Sequence, residues 1–378
     1  MNDRRPTLFR VITWLPVGGI ERRLVAVAPR LRDRGWNVRV VCIREEGPLA
    51  RELRDAGIPL EVIPFPSRFS PPALRRLAAT FREHDARVVH SHMYRSNIPA
   101  SVAGKIAGVP AIFAHIHNVD SWDNWRQAAV DRAISRLRTA TIAVSRAVQE
   151  DVMAKLGLPE ERVPVLYNGI NIDEFQPDAS LRLRLREEWR VGRDEVLFLV
   201  PARLHPQKNL AGVMRTFQQL VEKESSLRAF RLVFAGSGKL EEELRAQAGP
   251  LLDRRVMFLG QRDDMPAVYN AADAVILSSF KEGFSNAVVE ALAAGKPFIG
   301  SDVGGNREAV GDGTGAGWIH APGDGDALLA QMGEALALGT DGLAAMAGAC
   351  RTRAQLFSLE NLVEQTHQLY VRALGYSP

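Results

Sequence analysis

Residues 281–310 read KEGFSNAVVEALAAGKPFIGSDVGGNREAV. A glycine-bearing loop is followed by a run of good helix formers from Asn286, which stops at Gly295, and then by a short apolar strand at Pro297–Gly300. With the apolar run Ala274–Leu277 before it, this is a strand–helix–strand unit, the building block of a parallel sheet covered by helices. The same rhythm extends in both directions. Strands are expected at Val196–Val200, Arg231–Ala235, Val256–Leu259 and Gly317–His320, and in the first half at Arg10–Leu15, Asn37–Ile43, Leu60–Ile63, Arg87–Ser91, Ala111–His115, Thr141–Ser145 and Val163–Tyr167. Between the first two of these, Leu24, Val27 and Leu31 recur at helical spacing and Gly35 stands at a left-handed cap position. The rhythm fails from Asn168 to Asp194, around a turn-like Asn-Gly, Pro177 and an Arg-rich helical stretch.

The expected fold class is therefore α/β, with two Rossmann-like domains whose parallel sheets face a central cleft. The divisions are residues 1–170, a linker at 171–194, a second domain at 195–357, and a terminal helix at 358–378 that packs back across the domains. At 378 residues the chain exceeds what one core organises, and its 46% hydrophobic and 24% charged content is that of a folded globular protein. Cys42 and Cys350 are the only cysteines, too few for a disulfide framework or a thiolate metal site and suited to a reducing compartment. Arg10 interrupts the N-terminal apolar stretch, so no signal peptide is expected, and Pro99, Lys105 and Pro110 break the longest weakly polar run. The net charge of +4 is uneven: residues 1–175 hold 26 Lys/Arg against 19 Asp/Glu, and the remainder 22 against 25.

Ligands of such sheets bind beyond the carboxyl ends of the strands. There, Gly283, Phe284, Ser285 and Asn286 open a helix whose start favours an anion, with Glu282 before it and Glu290 one turn in. An ordinary capped helix would look the same at this level. Arg203 and Lys208, in PARLHPQKN, stand five residues apart after a strand, either as solvated cations or as neutralisers of a diphosphate. Val17-Gly18-Gly19 lets the backbone approach a ligand, but neither it nor Gly236-Ser237-Gly238 completes a dinucleotide fingerprint, and no P-loop is present. His90-x-His92 and His115-x-His117 end two strands; no third ligand follows in sequence, so no metal is assigned and one of the four is read as lining the cleft.

These residues, in this order, resemble the retaining glycosyltransferases of family 4, the group 1 glycosyltransferases of GT-B fold. The resemblance runs through GGIERRLVAVAPRLRDRGWNV, VVHSHMYRSNIPA, AHIHN, YNGINIDEF, ARLHPQKN, LVFAGSGKLEEEL, MFLGQRDDMPAVYNAADAVILSS and EGFSNAVVEALAAGKPFIGSDVGG, with Glu282 and Glu290 as the family's glutamate pair. It implies sugar transfer from a nucleotide-diphosphate donor, with UDP the common case, to a glycan, lipid-linked or small-molecule acceptor in surface polysaccharide or glycolipid synthesis. Arg203 and Lys208 would meet the diphosphate, Gly283–Asn286 supply backbone donors, Glu290 accept from the ribose and Glu282 from the sugar. Gly19 would approach the phosphates, Arg262 lie near the base, and His117, with His115 as the alternative, lie near the sugar. Ala202 and Asn209 replace glycines frequent in that donor loop. Metal independence and a cytoplasmic location follow from the same resemblance. A nonhydrolysing UDP-N-acetylglucosamine epimerase and a non-catalytic nucleotide-sugar-binding module share the architecture. The clusters Arg22-Arg23, Arg30/Arg32/Arg34 and Arg75-Arg76 read either as solvated helix faces or as contacts for an anionic membrane or a lipid-linked phosphate. Nucleic acid is not expected, because the cations are not interleaved with aromatics.

Overall fold

The structure, a computed structural model, describes residues 5–119, 121–122, 124–223 and 229–375. It divides into two compact units: residues up to Gly169 together with those from Leu359, and Ile170–Ser358.

The first unit holds a parallel sheet of β1 (Thr7–Ile12), β2 (Asn37–Cys42), β3 (Leu60–Val62), β4 (Ala86–His92), β5 (Ala111–Ile116) and β6 (Ala140–Ala143), in the order 3-2-1-4-5-6. The second repeats that order with β7 (Val196–Pro201), β8 (Phe230–Ala235), β9 (Val256–Phe258), β10 (Ala274–Leu277), β11 (Phe298–Ser301) and β12 (Gly317–His320). Each is the doubly wound Rossmann arrangement, with a switch point where β1 meets β4 and β7 meets β10. Strands buried on both faces read as continuous apolar runs, which is why VLFLVP and AVIL were visible as strands.

Three expectations need correction. The first strand begins three residues earlier, at Thr7, so Arg10 lies inside it and is only 5% exposed. It is tolerated there because Tyr370 Oη and His92 Nε2 take its guanidinium at 3.2 and 2.8 Å. Val163–Tyr167 makes only a single bridge, Val165 to Ala143, since Pro164 has no N–H to extend a ladder. The segment 171–194, expected as a linker, is packed into the second unit: its helix Ala179–Glu188 sends Arg182 and Arg186 to the buried Asp273, which also accepts from the Leu197 amide at 2.7 Å.

The terminal helix Leu359–Leu374 belongs to the first unit, although it follows the second in sequence. Trp36 meets Tyr370 edge-on at 5.4 Å, and the Trp36 indole donates to His367 Nδ1 at 3.0 Å.

Candidate active site

In the second unit, the loops after β7 and β10 meet at the switch point. The Phe280 amide donates to Gln207 O at 2.9 Å and Gln207 Nε2 donates to Lys281 O at 2.7 Å, so the two segments are stitched together. This brings Lys208 Nζ to 2.5 Å from Glu282 Oε1, an oxygen that also accepts from Ser279 Oγ at 2.7 Å. Arg203 lies in the same loop, exposed and without an ion pair among the described residues. Gly236 and Gly238, which failed as a nucleotide fingerprint, have another task. A Cβ on Gly236 would fall 2.1 Å from Ala202 O, so only glycine lets this turn support the Arg203 loop.

The helix Asn286–Ala293 follows Ser285, whose side chain makes no cap bond. Phe284 turns inward, its ring 5.1 Å from that of Phe357, and leaves only its backbone for a ligand. Behind this loop Gly304 has φ +54°, and a Cβ there would fall 2.4 Å from Gly283 O. Glu290 accepts from Tyr269 Oη at 2.8 Å. Burial holds its carboxyl above the ordinary range, the tyrosine hydrogen bond opposes this, and the Glu174 charge adds to it. Arg262 is tied to Asp264 by two contacts of 2.8 and 2.7 Å, so its guanidinium is already paired. The structure thus joins Lys208 with Glu282 and leaves Arg203 separate. Sequence reasoning missed Tyr269 and Ser279; a tyrosine in the short, mostly apolar helix Met265–Ala271 was the one available signal.

In the first unit, four histidines from β4 and the end of β5 stack at the other switch point, with ring centroids 4.1–5.5 Å apart. His90 Nδ1 lies 2.5 Å from Tyr370 Oη and His90 Nε2 lies 3.3 Å from His115 Nδ1. A second row runs from Arg10 through His92 and His117, whose Nδ1 and Nε2 are 3.0 Å apart, to Arg23 Nη2, 3.1 Å from His117 Nδ1. Burial holds all four rings well below the ordinary histidine range; Arg10 adds most for His90 and His92, Arg23 for His115, and His115 then Arg23 for His117. Burial and Arg10 bring Arg23 down to about 9, so it stays charged at neutral pH. Nitrogens of His90, His92 and His115 lie close enough together for a metal ion, but the guanidiniums of Arg10 and Arg23 oppose a further cation beside them. His115 is buried, whereas His117 lines a cavity of about 650 Å3 with Thr13, Trp14 and Tyr94. Gly19 opens the helix Gly19–Asp33 in this unit.

Residues 17–174 match the family described as Glycosyltransferase Family 4, and residues 195–337 match Glycosyl transferases group 1. The chain belongs to the group 1 glycosyltransferases. This glycosyltransferase is 33% identical over 186 residues to an uncharacterized glycosyltransferase, MJ1607, of Methanocaldococcus jannaschii, a match covering 47% of the chain and 46% of that protein. It is 24% identical over 303 residues, 77% of the chain and 78% of the relative, to the UDP-Gal:alpha-D-GlcNAc-diphosphoundecaprenol alpha-1,3-galactosyltransferase of Escherichia coli. Its fold is that of Anabaena HepE, solved in complex with UDP: the TM-score is 0.85 at 23% identity, over 97% of this glycosyltransferase and 100% of that chain. The two parallel six-stranded sheets are those of the GT-B fold. Among the described residues no helix is long and apolar enough to cross a membrane.

Proposed function

We propose that this glycosyltransferase moves a hexosyl group from a UDP-sugar, with retention of anomeric configuration and without a metal, to a phosphorylated or lipid-linked acceptor. The observation that carries the donor reading is the Lys208–Glu282 contact, at the carboxyl ends of the two switch-point strands and beside a helix start. In the ligand-free protein each group answers the other. A donor diphosphate competes for the Lys208 ammonium, and Glu282 is then released to accept from a sugar hydroxyl. As the bond from the anomeric carbon to the phosphate oxygen breaks, charge grows on the departing nucleotide; Lys208, Arg203 and the amides of Gly283–Asn286 are the groups placed to stabilise it. Glu290, oriented by Tyr269, takes the ribose, and backbone groups near Arg262 take the base.

The UDP assignment draws support from the E. coli relative, named for a UDP-Gal donor, and from HepE, solved with UDP. A working place at the cytoplasmic face of an anionic membrane fits an acceptor such as the diphosphoundecaprenol in that relative's name. Donor hydrolysis across UDP-, GDP- and ADP-sugars, followed by NMR of the anomeric proton in the first product formed, tests the proposal. Selective turnover of UDP-sugars with retention is expected. Turnover of only GDP- or ADP-sugars, inversion, or epimerisation of the UDP-sugar in place of cleavage would each overturn it.

A further inference from the structure

Most basic residues of the first unit that are prominent in sequence are already answered by acids. Arg30 and Arg34 pair with Glu360, Arg34 also with Glu364, Arg32 with Asp33, Arg54 with Glu46 and Arg76 with Glu61; Arg23 is buried against His117. Three other arginines behave differently. The cavity of about 650 Å3 beside His117 shares Thr13, Arg44, Arg68 and Arg95 with an adjoining cavity of about 450 Å3. Arg68 and Arg95 form no ion pair among the described residues, and Arg44 has only Glu45, at 3.4 Å on the surface. Among the described residues no carboxylate lines either cavity.

Three like charges converging on one hollow repel one another unless an anion joins them. Their placement follows from the topology: Arg44 follows β2, Arg68 follows β3, and Arg95 follows β4 in the first turn of the helix Tyr94–Ala107, so all three lie beyond carboxyl ends of the sheet. Met93, between β4 and that helix, has φ 68° and ψ 151°, a conformation normally reserved for glycine that costs about 1–3 kcal/mol and directs Tyr94 and Arg95 at the cavity mouth. Arg68 stacks 4.5 Å from the Tyr94 ring centre and Arg44 5.7 Å from that of Trp14, so two of the guanidiniums lie against aromatic rings. Part of the wall between the cations is apolar, with Ile20, Met93, Phe65 and the half-exposed Phe69, and the rest is polar, with Thr13, Ser67, Asn118 and Ser121.

We propose that Arg44, Arg68 and Arg95 form the anchor for a phosphate or diphosphate ester on the acceptor, holding it beside His117 while the apolar part of the wall takes the group esterified to the phosphate. The proposal rests on the glycosyltransfer reading for what the bound molecule is, but not for whether it binds. Two sources share this chemistry, a lipid-linked diphosphate and a soluble sugar phosphate.

The test is calorimetric titration of the full chain with farnesyl diphosphate, with glucose 1-phosphate and with unphosphorylated farnesol, in the presence and absence of saturating UDP, which fills the donor loops. At least one phosphorylated probe is expected to bind with UDP present, farnesol far more weakly, and the Arg68→Ala/Arg95→Ala variant to bind that probe at least about 10-fold more weakly, as expected when charge-assisted hydrogen bonds are lost. Whichever phosphorylated probe binds tighter identifies the source. Binding of neither probe, or equal binding by the variant, overturns the proposal. Neither substitution breaks an ion pair among the described residues, so the variant is expected to fold and to keep UDP affinity unchanged. A chain that binds the phosphorylated probe but no UDP would sink the donor reading and leave the anchor standing.

Discussion

Replacing Glu290 by glutamine separates charge from shape at the proposed ribose contact. Tyr269 donates to Oε2 at 2.8 Å, a bond that the glutamine carbonyl oxygen preserves, so the amide nitrogen takes the place of Oε1. A ribose hydroxyl that donated to a carboxylate then faces another donor. A hydrogen bond to a charged group contributes about 1.5–3 kcal/mol, so UDP is expected to bind about 10- to 150-fold more weakly by calorimetry. The comparison also has a pH signature. Burial raises the Glu290 carboxyl above its usual value, so acidification through that raised value protonates it and makes the wild type resemble the variant. The ratio of the two dissociation constants should shrink toward one as pH falls, whereas titration of UDP itself affects both proteins and cancels. Folding responds in the opposite sense. The native state prefers the protonated acid more than the unfolded chain does, so this group's contribution is largest at low pH and is lost as pH rises through the raised value. Glu290→Gln is therefore expected to leave thermal stability at pH 7 unchanged or higher. Equal UDP affinity at pH 7.5, or a ratio indifferent to pH, would refute the ribose role.

Lys208→Ala is expected to lower turnover with saturating UDP-sugar by about 10²–10³-fold, the roughly 3–4 kcal/mol typical of losing one transition-state donor, with near-normal folding; steady-state rates within a few-fold of wild type would remove it from the mechanism. Asp131→Ala leaves the fully buried Arg138 guanidinium without its carboxylate and takes the partner of the Trp122 indole, so a loss of about 3–5 kcal/mol is expected in denaturant unfolding, and one below about 1 kcal/mol would mean that water or a rearranged side chain replaces the carboxylate. Lys296 is lowered to about 8, chiefly by burial and then by Arg182. Between about pH 8 and the ordinary lysine range the unfolded chain holds the extra proton, so stability from this group rises with pH across that window; Lys296→Met should flatten the rise in the urea midpoint between pH 7.5 and 10.

The order of strands and the helix at Asn286 were readable because they depend on local periodicity and on glycines that stop helices. The loops carrying Arg203, Lys208 and Glu282, and the helix carrying Glu290, were readable as local elements because they directly follow or open such units. What escaped was set by distant partners. Arg10 looked like the border of a strand because nothing nearby in sequence shows the Tyr370 hydroxyl, 360 positions away, that receives it. The basic clusters on the first helix looked available for a membrane because Glu360 and Glu364, which neutralise Arg30 and Arg34, arrive on a helix that returns after the whole second unit. Conversely Arg44, Arg68 and Arg95 are scattered over three loops and only the sheet order gathers them.

The row from Arg10 through His92 and His117 to Arg23 obeys a parity rule. Each neutral ring brings one hydrogen and one lone pair, and each guanidinium brings hydrogens only. With donors at both ends, both outer ring nitrogens must accept, which puts hydrogens on both inner nitrogens, His92 Nδ1 and His117 Nε2, facing each other across 3.0 Å. Three contacts are drawn, but only two can be satisfied while both arginines are charged and both rings neutral. If Arg10 keeps its partner, His117 carries its hydrogen on Nδ1 and Arg23 must turn away; if Arg23 keeps its partner, the hydrogen moves to Nε2 and the frustration passes to Arg10. The ring that borders the cavity therefore has two tautomers that differ by no net charge, chosen by which guanidinium lets go.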